Sequence, residues 1–399
     1  MDTSIRHSRW HAWALLLTCC AVLAGCAAPP ARVPAVDALF ADARYAPPPA
    51  PVGAEDVFAL SPAMRATLDS PAFRAQLKRL GVERGVVAAL YDDGSLKLEY
   101  DAAKTRTAAE AFAARRGNCL SLVMMTAAFA RALGLEVRYQ QVVVDESWRR
   151  SGDMVVSSGH VNLSISRPER VERIITLGPT AGITVDFLPG EAVDGYQGYP
   201  LDEATILAMY ANNRAVEALL RNQLDEAYWW ARAALTRDPR FIASYNTMAV
   251  IHQRHGDAVM AERSWRAALE REPENVVAMR NLAPLLASEG RQPEADALLK
   301  QAAGIEPYPP FYFHGRGMAA LERKDYTAAR SMFAREVKRA PYHDEFHFWL
   351  AIALLRLGER EEARDQLALA AQTTDSPATG RFYSAKLEML RKGAPRATD

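Results

Sequence analysis

Cys119 and His160 are the residues of this 399-residue chain whose types could start a nucleophilic acyl transfer. In such chemistry a thiolate attacks a carbonyl, an imidazole moves the proton, and a third group fixes the imidazole. The four cysteines are Cys19, Cys20, Cys26 and Cys119. The first three lie in or just after an apolar N-terminal run, so Cys119 is the thiol left to the folded part. His7 and His11 belong to the N-terminal segment, and His252, His255, His314, His343 and His347 belong to a repetitive C-terminal half. Between Cys26 and Pro200, His160 stands alone, so nucleophile and base are both singletons of one region. Asp186 is the candidate orienter. It is polar inside the apolar run Ile183-Thr184-Val185-Asp186-Phe187, where burial would demand a partner. Asp145, Asp153 and Asp194 compete for that role. Each of the three also has a plainer reading: Cys119 as an inert core cysteine, His160 and Asp186 as satisfied structural residues.

The elements that must position these residues are legible nearby. Arg115-Arg116-Gly117-Asn118-Cys119 precedes an apolar helical run to Leu133. Cys119 falls in its first turn, where unpaired amides and the helix dipole favour a thiolate, with Asn118 as cap and Gly117 easing the entry. Upstream, Thr107 and Glu110 have capping-box spacing before a helix at 108–114. Ser61 to Leu80 has helical spacing, and Leu96 to Tyr100 is a short candidate strand after the turn Asp92-Asp93-Gly94. Val137 to Val144, His160 to Ser166 and Ile183 to Phe187 read as strands. A helix followed by strands implies α+β. Asn162 falls on the same side of its strand as His160, within reach of the imidazole.

These segments resemble the transglutaminase-like superfamily. Arg116-Gly117-Asn118-Cys119, the helix containing Ala130-Arg131-Ala132-Leu133-Gly134-Leu135, Gly159-His160-Val161 and Thr184-Val185-Asp186 match its nucleophile, histidine and aspartate segments in order, over roughly residues 85–190. The resemblance implies a papain-like fold, a Cys119-His160-Asp186 triad and hydrolysis or transfer of an acyl group. Asn162 departs from it, because many members carry an aromatic at that place. The Cys119 amide is the one oxyanion donor that can be named.

Arg6 and Arg9 precede an apolar stretch from Ala12 to Ala24, the layout of a secretory signal and too short for a membrane span. Its end, Leu23-Ala24-Gly25-Cys26, resembles a bacterial lipobox, which implies cleavage before Cys26 and its lipidation. The alternative is an ordinary cleaved signal with a chance cysteine. Ala27 and Ala28, rather than Asp, follow the cysteine, and the resemblance then implies the outer membrane, facing the periplasm. Residues 26–54 are rich in Pro and Ala and read as a tether, in which Val36 to Phe40 and Tyr45 are the apolar islands that could dock.

From about Leu201 the chain repeats. Pro239, Pro273, Pro307 and Pro341 are 34 residues apart, with Asp375 in the next place. Ala227, Ala261, Ala295, Ala329 and Ala363 keep the same step, as do the apolar residues Ala231, Trp265, Leu299, Phe333 and Leu367. Gly256, Gly290 and Gly358 share a loop register. Gly317 holds a first-helix signature position where Ala215, Ala249, Ala283 and Ala351 stand in the other units. This pattern resembles the tetratricopeptide repeat. The small alanine lets paired helices close, the larger residue fills the gap, and proline opens the next turn.

The chain carries 48 basic and 48 acidic residues, and removal of residues 1–25 leaves 46 and 47, a balance unlike that of a nucleic-acid-binding domain. His343 with His347, and His252 with His255, have spacings a metal could use, but on repeat helices they read as surface or inter-helix residues, so no metal is expected. No nucleotide motif is present, and no cofactor is expected. The expected architecture is thus a signal peptide (1–25), a tether (26–54), an α+β transglutaminase-like, papain-like domain (55–200), an all-α repeat solenoid (201–380) and a tail (381–399). The expected function is envelope-anchored cysteine-dependent acyl transfer, of peptidase, amidase or transglutaminase type, with repeats recruiting a protein or peptide. The alternative is an inactive periplasmic adaptor that binds partners through its repeats.

Overall fold

The computed structural model describes residues 35–48, 52–53, 56–91, 98–101, 104–151, 154–168, 182–187, 198–374 and 376–391. Cys26, the signal segment, the turn at 92–94, Asp153, Asp194 and Asp375 lie outside the described residues.

Helices α1 (Pro62–Asp69), α2 (Pro71–Leu80) and α3 (Val82–Tyr91) open the first region. The single helix expected from Ser61 to Leu80 is instead two. Pro71 cannot continue a helix, and Ser70 takes an extended conformation and caps the second one by accepting from the Phe73 amide. Helix α4 (Ala108–Ala114) starts on the expected capping box: Thr107 Oγ1 accepts from the Glu110 amide at 3.2 Å, and Glu110 accepts from the Thr107 amide at 2.9 Å. The short strands β1 (Glu99–Tyr100) and β2 (Arg116–Gly117) pair in parallel. Helix α5 (Cys119–Ala132) follows at once, buried along nearly its whole length.

Helix α5 packs on an antiparallel sheet of β3 (Glu136–Ser151), β4 (Met154–Ser166), β5 (Ile183–Val185) and β6 (Gly198–Leu201), in the order β5-β4-β3-β6. Strands β3 and β4 run well beyond the segments read from sequence, and their register shifts between Val142 and Ser147. Strand β5 is shorter than expected. It ends at Val185, so Asp186 sits just past the strand.

Helices α6 (Glu203–Leu220) to α15 (Arg360–Thr373) form five antiparallel pairs. The intervening members are α7 (Leu224–Arg237), α8 (Ala243–Arg254), α9 (Ala258–Arg271), α10 (Val276–Ser288), α11 (Gln292–Ile305), α12 (Tyr312–Glu322), α13 (Tyr326–Arg339) and α14 (Asp344–Leu357). A last helix, α16 (Pro377–Arg391), runs across the boundary drawn at 380. Ala227, Ala261, Ala295, Ala329 and Ala363 are all buried at the crossings, as the spacing requires. The turn inside each pair holds one left-handed residue at the same 34-residue step: Asn222, Gly256, Gly290, Lys324 and Gly358, with φ between 58° and 86°. Gly317 has a different reason to be glycine, because a Cβ there would lie 2.6 Å from the Phe333 ring.

One core runs from α1 through α5 and the sheet into the first three helix pairs, and a separate one holds the last two pairs. The break follows Tyr308-Pro309-Pro310, where Phe311 adopts a left-handed φ of 62°. At this break Leu299 is 44% exposed, so it does not fill the inter-helix gap as Trp265 and Phe333 do. On α11 the inward stripe is Ala295, Leu298 and Ala302 instead. Strand β3 spans the discontinuity. Its Trp148 is buried against Phe311 and Phe346, with ring centroids 5.1 and 5.8 Å away and the Arg339 guanidinium 5.0 Å from the indole. Cation–π contact and area burial both favour that seat.

Two substitutions probe the array in opposite directions. Gly317→Ala forces a methyl into the Phe333 ring and should cost about 1–3 kcal/mol. Lys324→Gly relieves a left-handed side-chain residue and should stabilise by about 0.5–1 kcal/mol. Thermal melts of the two variants check both signs, and a neutral Gly317→Ala would contradict the packing described.

Candidate functional site

Cys119 occupies the first position of α5, as expected. Asn118 caps that helix: its Oδ1 accepts from the Ser121 amide at 2.9 Å and from the Ser121 hydroxyl at 2.7 Å. The close entry requires Gly117, since a Cβ there would stand 2.8 Å from Ser121 Cβ. The first amides of a helix have no intrahelical acceptor, so the Cys119 N–H is available at the point where the sulfur emerges.

His160 lies on β4 and Asp186 just beyond β5, which pairs antiparallel with β4. The structure brings all three predicted residues together. His160 Nε2 meets Asp186 Oδ1 at 2.7 Å, with both side chains at least nine-tenths buried. The Cys119 side chain is the imidazole's other polar neighbour, and its hydrogen bonding and charge both raise the His160 pKa. Burial alone would push the imidazole pKa down. The hydrogen bonds to Asp186 and Cys119 and the charges of both outweigh it, and His160 is pushed up to about 9. At neutral pH the site therefore holds an imidazolium between a carboxylate and the sulfur.

Asn162 takes part in an unexpected way. Rather than contacting the imidazole, its Nδ2 donates to Asp186 Oδ2 at 2.9 Å. Two side chains of one strand, i and i+2, thus grip both oxygens of one carboxylate. The departure from the family pattern at this position marked the residue as unusual; its partner was not legible, because that depends on where β5 ends.

A second set of residues had no signal in the sequence. Asn118 Nδ2 donates to Thr105 Oγ1 at 2.8 Å, and the Thr105 amide donates to Glu217 Oε1 on α6 at 2.6 Å. A hydrogen-bonded line therefore runs from the first repeat helix to the cap of the nucleophile helix. Arg131 near the end of α5 adds a second tie, donating to Tyr139 at 2.7 Å and pairing with Glu203 at the start of α6.

Among the described residues no group of three or more His, Cys, Asp or Glu is arranged to hold a metal ion. His347 is held by Gln366 and the Pro341 carbonyl, each at 2.7 Å, and His343 packs in the aromatic cluster with Phe346. His252 is also buried.

Residues 246–310 and 314–379 match the family model described as tetratricopeptide repeat. With five helix pairs on a 34-residue step, the C-terminal half is a tetratricopeptide-repeat solenoid. Among solved structures, pilF of Pseudomonas aeruginosa is 23% identical over 48% of this chain and 94% of its own, with a TM-score of 0.29. The thermophilic repeat protein TTC0263 of Thermus thermophilus is 18% identical over 46% and 99%, with a TM-score of 0.29. YrrB, a repeat protein with an unusual peptide-binding site, is 18% identical over 45% and 92%, with a TM-score of 0.24. No curated protein matches the chain.

The interdomain line sets a pH dependence. Burial, the largest influence on Glu217, raises its pKa against the pull of Thr105, Arg214 and Arg221. An acid raised on folding binds its proton more readily folded than unfolded. Its favourable contribution is thus present below the ordinary glutamate value of about 4.3 and is lost as pH rises through the raised value. In Glu217→Gln that loss is removed while the Thr105 amide keeps an acceptor. The melting temperature of Glu217→Gln relative to wild type should therefore rise between about pH 4 and pH 7. A difference that stays constant with pH would contradict this assignment.

Proposed function

We propose that this protein is a cysteine-dependent acyl-transfer enzyme whose repeats recruit the protein or peptide it acts on. The carrying observation is the line Cys119, His160, Asp186, with the imidazole bonded on both sides and pushed up to about 9. In the reading, the Cys119 thiolate attacks an amide or ester carbonyl. The Cys119 amide, at the helix start, donates to the oxygen that gains charge. The carbon–nitrogen or carbon–oxygen bond breaks as the His160 imidazolium gives its proton to the leaving group, and a thioester remains. Water or an amine then attacks the thioester, passes its proton back to the imidazole and frees the thiolate. Asp186 keeps the ring in place throughout, and Asn162 keeps Asp186 in place. A helix N-terminus that carries the cysteine and packs on an antiparallel sheet with the histidine is consistent with the papain-like arrangement that the transglutaminase-like resemblance implies.

A second reading has its own support. The comparisons speak to the repeats alone, and tetratricopeptide arrays bind proteins, so they favour a scaffold or adaptor in which the Cys-His-Asp site no longer turns over. Cys119 at 7% exposed and His160 at 5% fit that reading as well as a site opened by its substrate.

Thiol reactivity separates the two. In the enzyme reading the His160 imidazolium assists the sulfur, so iodoacetamide should alkylate Cys119 markedly faster in wild type than in His160→Ala at pH 6. Free-thiol behaviour in both proteins would favour the adaptor.

The anchoring belongs to the same proposal. The lipobox-like Leu23-Ala24-Gly25-Cys26 supports lipidation of Cys26 and attachment to the outer membrane, facing the periplasm. Among the described residues no helix is long and apolar enough to cross a membrane. Membrane fractionation and fatty-acid incorporation should both be lost in Cys26→Ala, and a variant that keeps both would defeat the reading.

A further inference from the structure

Residues 36–46 run as two short 3-10 turns, Val36–Leu39 and Asp42–Arg44, and they do not hang free. They lie on the repeats, across α7 and the corner between α8 and α9, and the contact has the features of a ligand in its site. Leu39 is fully buried and Tyr45 nearly so. The Tyr45 ring lies flat on Tyr228, with centroids 3.9 Å apart and 1° between the planes. His252, itself fully buried, meets the segment with both ring nitrogens, Nδ1 at 2.9 Å from the Tyr45 hydroxyl and Nε2 at 3.0 Å from the Leu39 carbonyl. A carbonyl only accepts, so Nε2 carries the hydrogen and Nδ1 accepts from tyrosine, which fixes the neutral tautomer. Burial lowers the His252 pKa and so favours that neutral form.

Charge and backbone are matched as well. Asp42 accepts from the Tyr228 hydroxyl at 2.5 Å and from Arg232 at 2.9 Å, and Arg44 pairs with the largely buried Asp257 at 2.8 Å. The Ala41 amide donates to the Tyr228 oxygen at 2.8 Å, and Trp229 donates to the Ala46 carbonyl at 2.7 Å. The Ala46 amide also donates to Asp225, and Arg263 donates to the Ala38 carbonyl. Opposite charges thus meet at two places, an aromatic stack and a buried leucine supply apolar area, and main-chain groups are read at five. A tether that only spaced the folded part from an anchor would need none of this.

We infer that the first two repeats carry a peptide-binding site whose ligand is the chain's own segment 36–46, held by these contacts rather than by its covalent continuity. The segment acts as a strap that fastens the N-terminal end of the chain to the repeats. The first two repeats are then already occupied, and a foreign partner would have to use the later repeats or displace the strap. If Cys26 is lipidated, as proposed above, the ten residues from Cys26 to Val36 hold the repeats within about 35 Å of the membrane.

The test cuts the covalent link. A site-specific protease sequence is inserted between Pro49 and Ala50 of the full chain, which is purified in detergent and cleaved. The N-terminal fragment should stay with the body through gel filtration. A labelled synthetic peptide of residues 35–48 should exchange slowly into the cut protein and not enter the uncut one. In Tyr45→Ala and in His252→Ala the fragment should leave at least about tenfold faster, as loss of a stacked, hydrogen-bonded anchor implies. Tyr45→Phe keeps the stack and should fall between. Immediate release of the wild-type fragment, or peptide binding to the uncut chain as readily as to the cut one, would overturn the inference. Neither outcome depends on Cys119, so the strap can fail while the enzyme reading stands, and the reverse.

Discussion

The site depends on how one carboxylate is held. Asp186 lies just past the end of β5, where the strand no longer dictates its direction, yet each of its oxygens faces a donor from β4: the His160 ring on one and the Asn162 amide on the other. A buried carboxylate with two fixed donors cannot rotate away. Its hydrogen bond and charge raise the His160 pKa against the effect of burial. A charged imidazole is in turn what can hold a thiolate at the start of α5. The remaining geometry serves this line: the Asn118 cap fixes the helix start, Gly117 lets the chain enter it closely, and the antiparallel pairing of β4 with β5 sets the distance across which the carboxylate reaches.

Much of this was legible in the sequence, and the legible parts share a cause. Cys119 at a helix start follows from a local signal, an Asn cap before an apolar helical run. The capping box at Thr107 and the 34-residue step are local or periodic in the same way. The strand that carries His160 could be read from β-branched and apolar residues near it, though not its full length, because the outer part of the hairpin is set by its pairing and by Trp148 seating on the repeats. What stayed hidden is long-range. Asn162 was placed on the right face but given the wrong partner. The tie from Glu217 through Thr105 to Asn118 joins residues over a hundred positions apart, with ordinary residue types at each. Leu299 kept the repeat's register but not its burial, since α11 turns Ala295, Leu298 and Ala302 inward instead.

The repeats are therefore more than an appended array. Their first three pairs share one core with the cysteine-bearing region, and their last two hold Trp148 of β3 in an aromatic seat. The strand next to the one that carries His160 is thus gripped by the repeats, and the cap of the nucleophile helix is tied to the first repeat helix. Whatever engages the solenoid acts on a body continuous with the site.

The charge state of His160 is the most direct measure of this account. Histidine-selective nitrogen-15 NMR on the full chain, titrated from pH 6 to 10 in wild type and in Cys119→Ser, reports it without reference to any substrate. Wild type should hold an imidazolium at pH 7.5 that titrates near about 9, with a lower midpoint once the sulfur is gone. A His160 that is already neutral at pH 7.5 and unmoved by Cys119→Ser would show that no thiolate–imidazolium pair forms, and the central claim would fall.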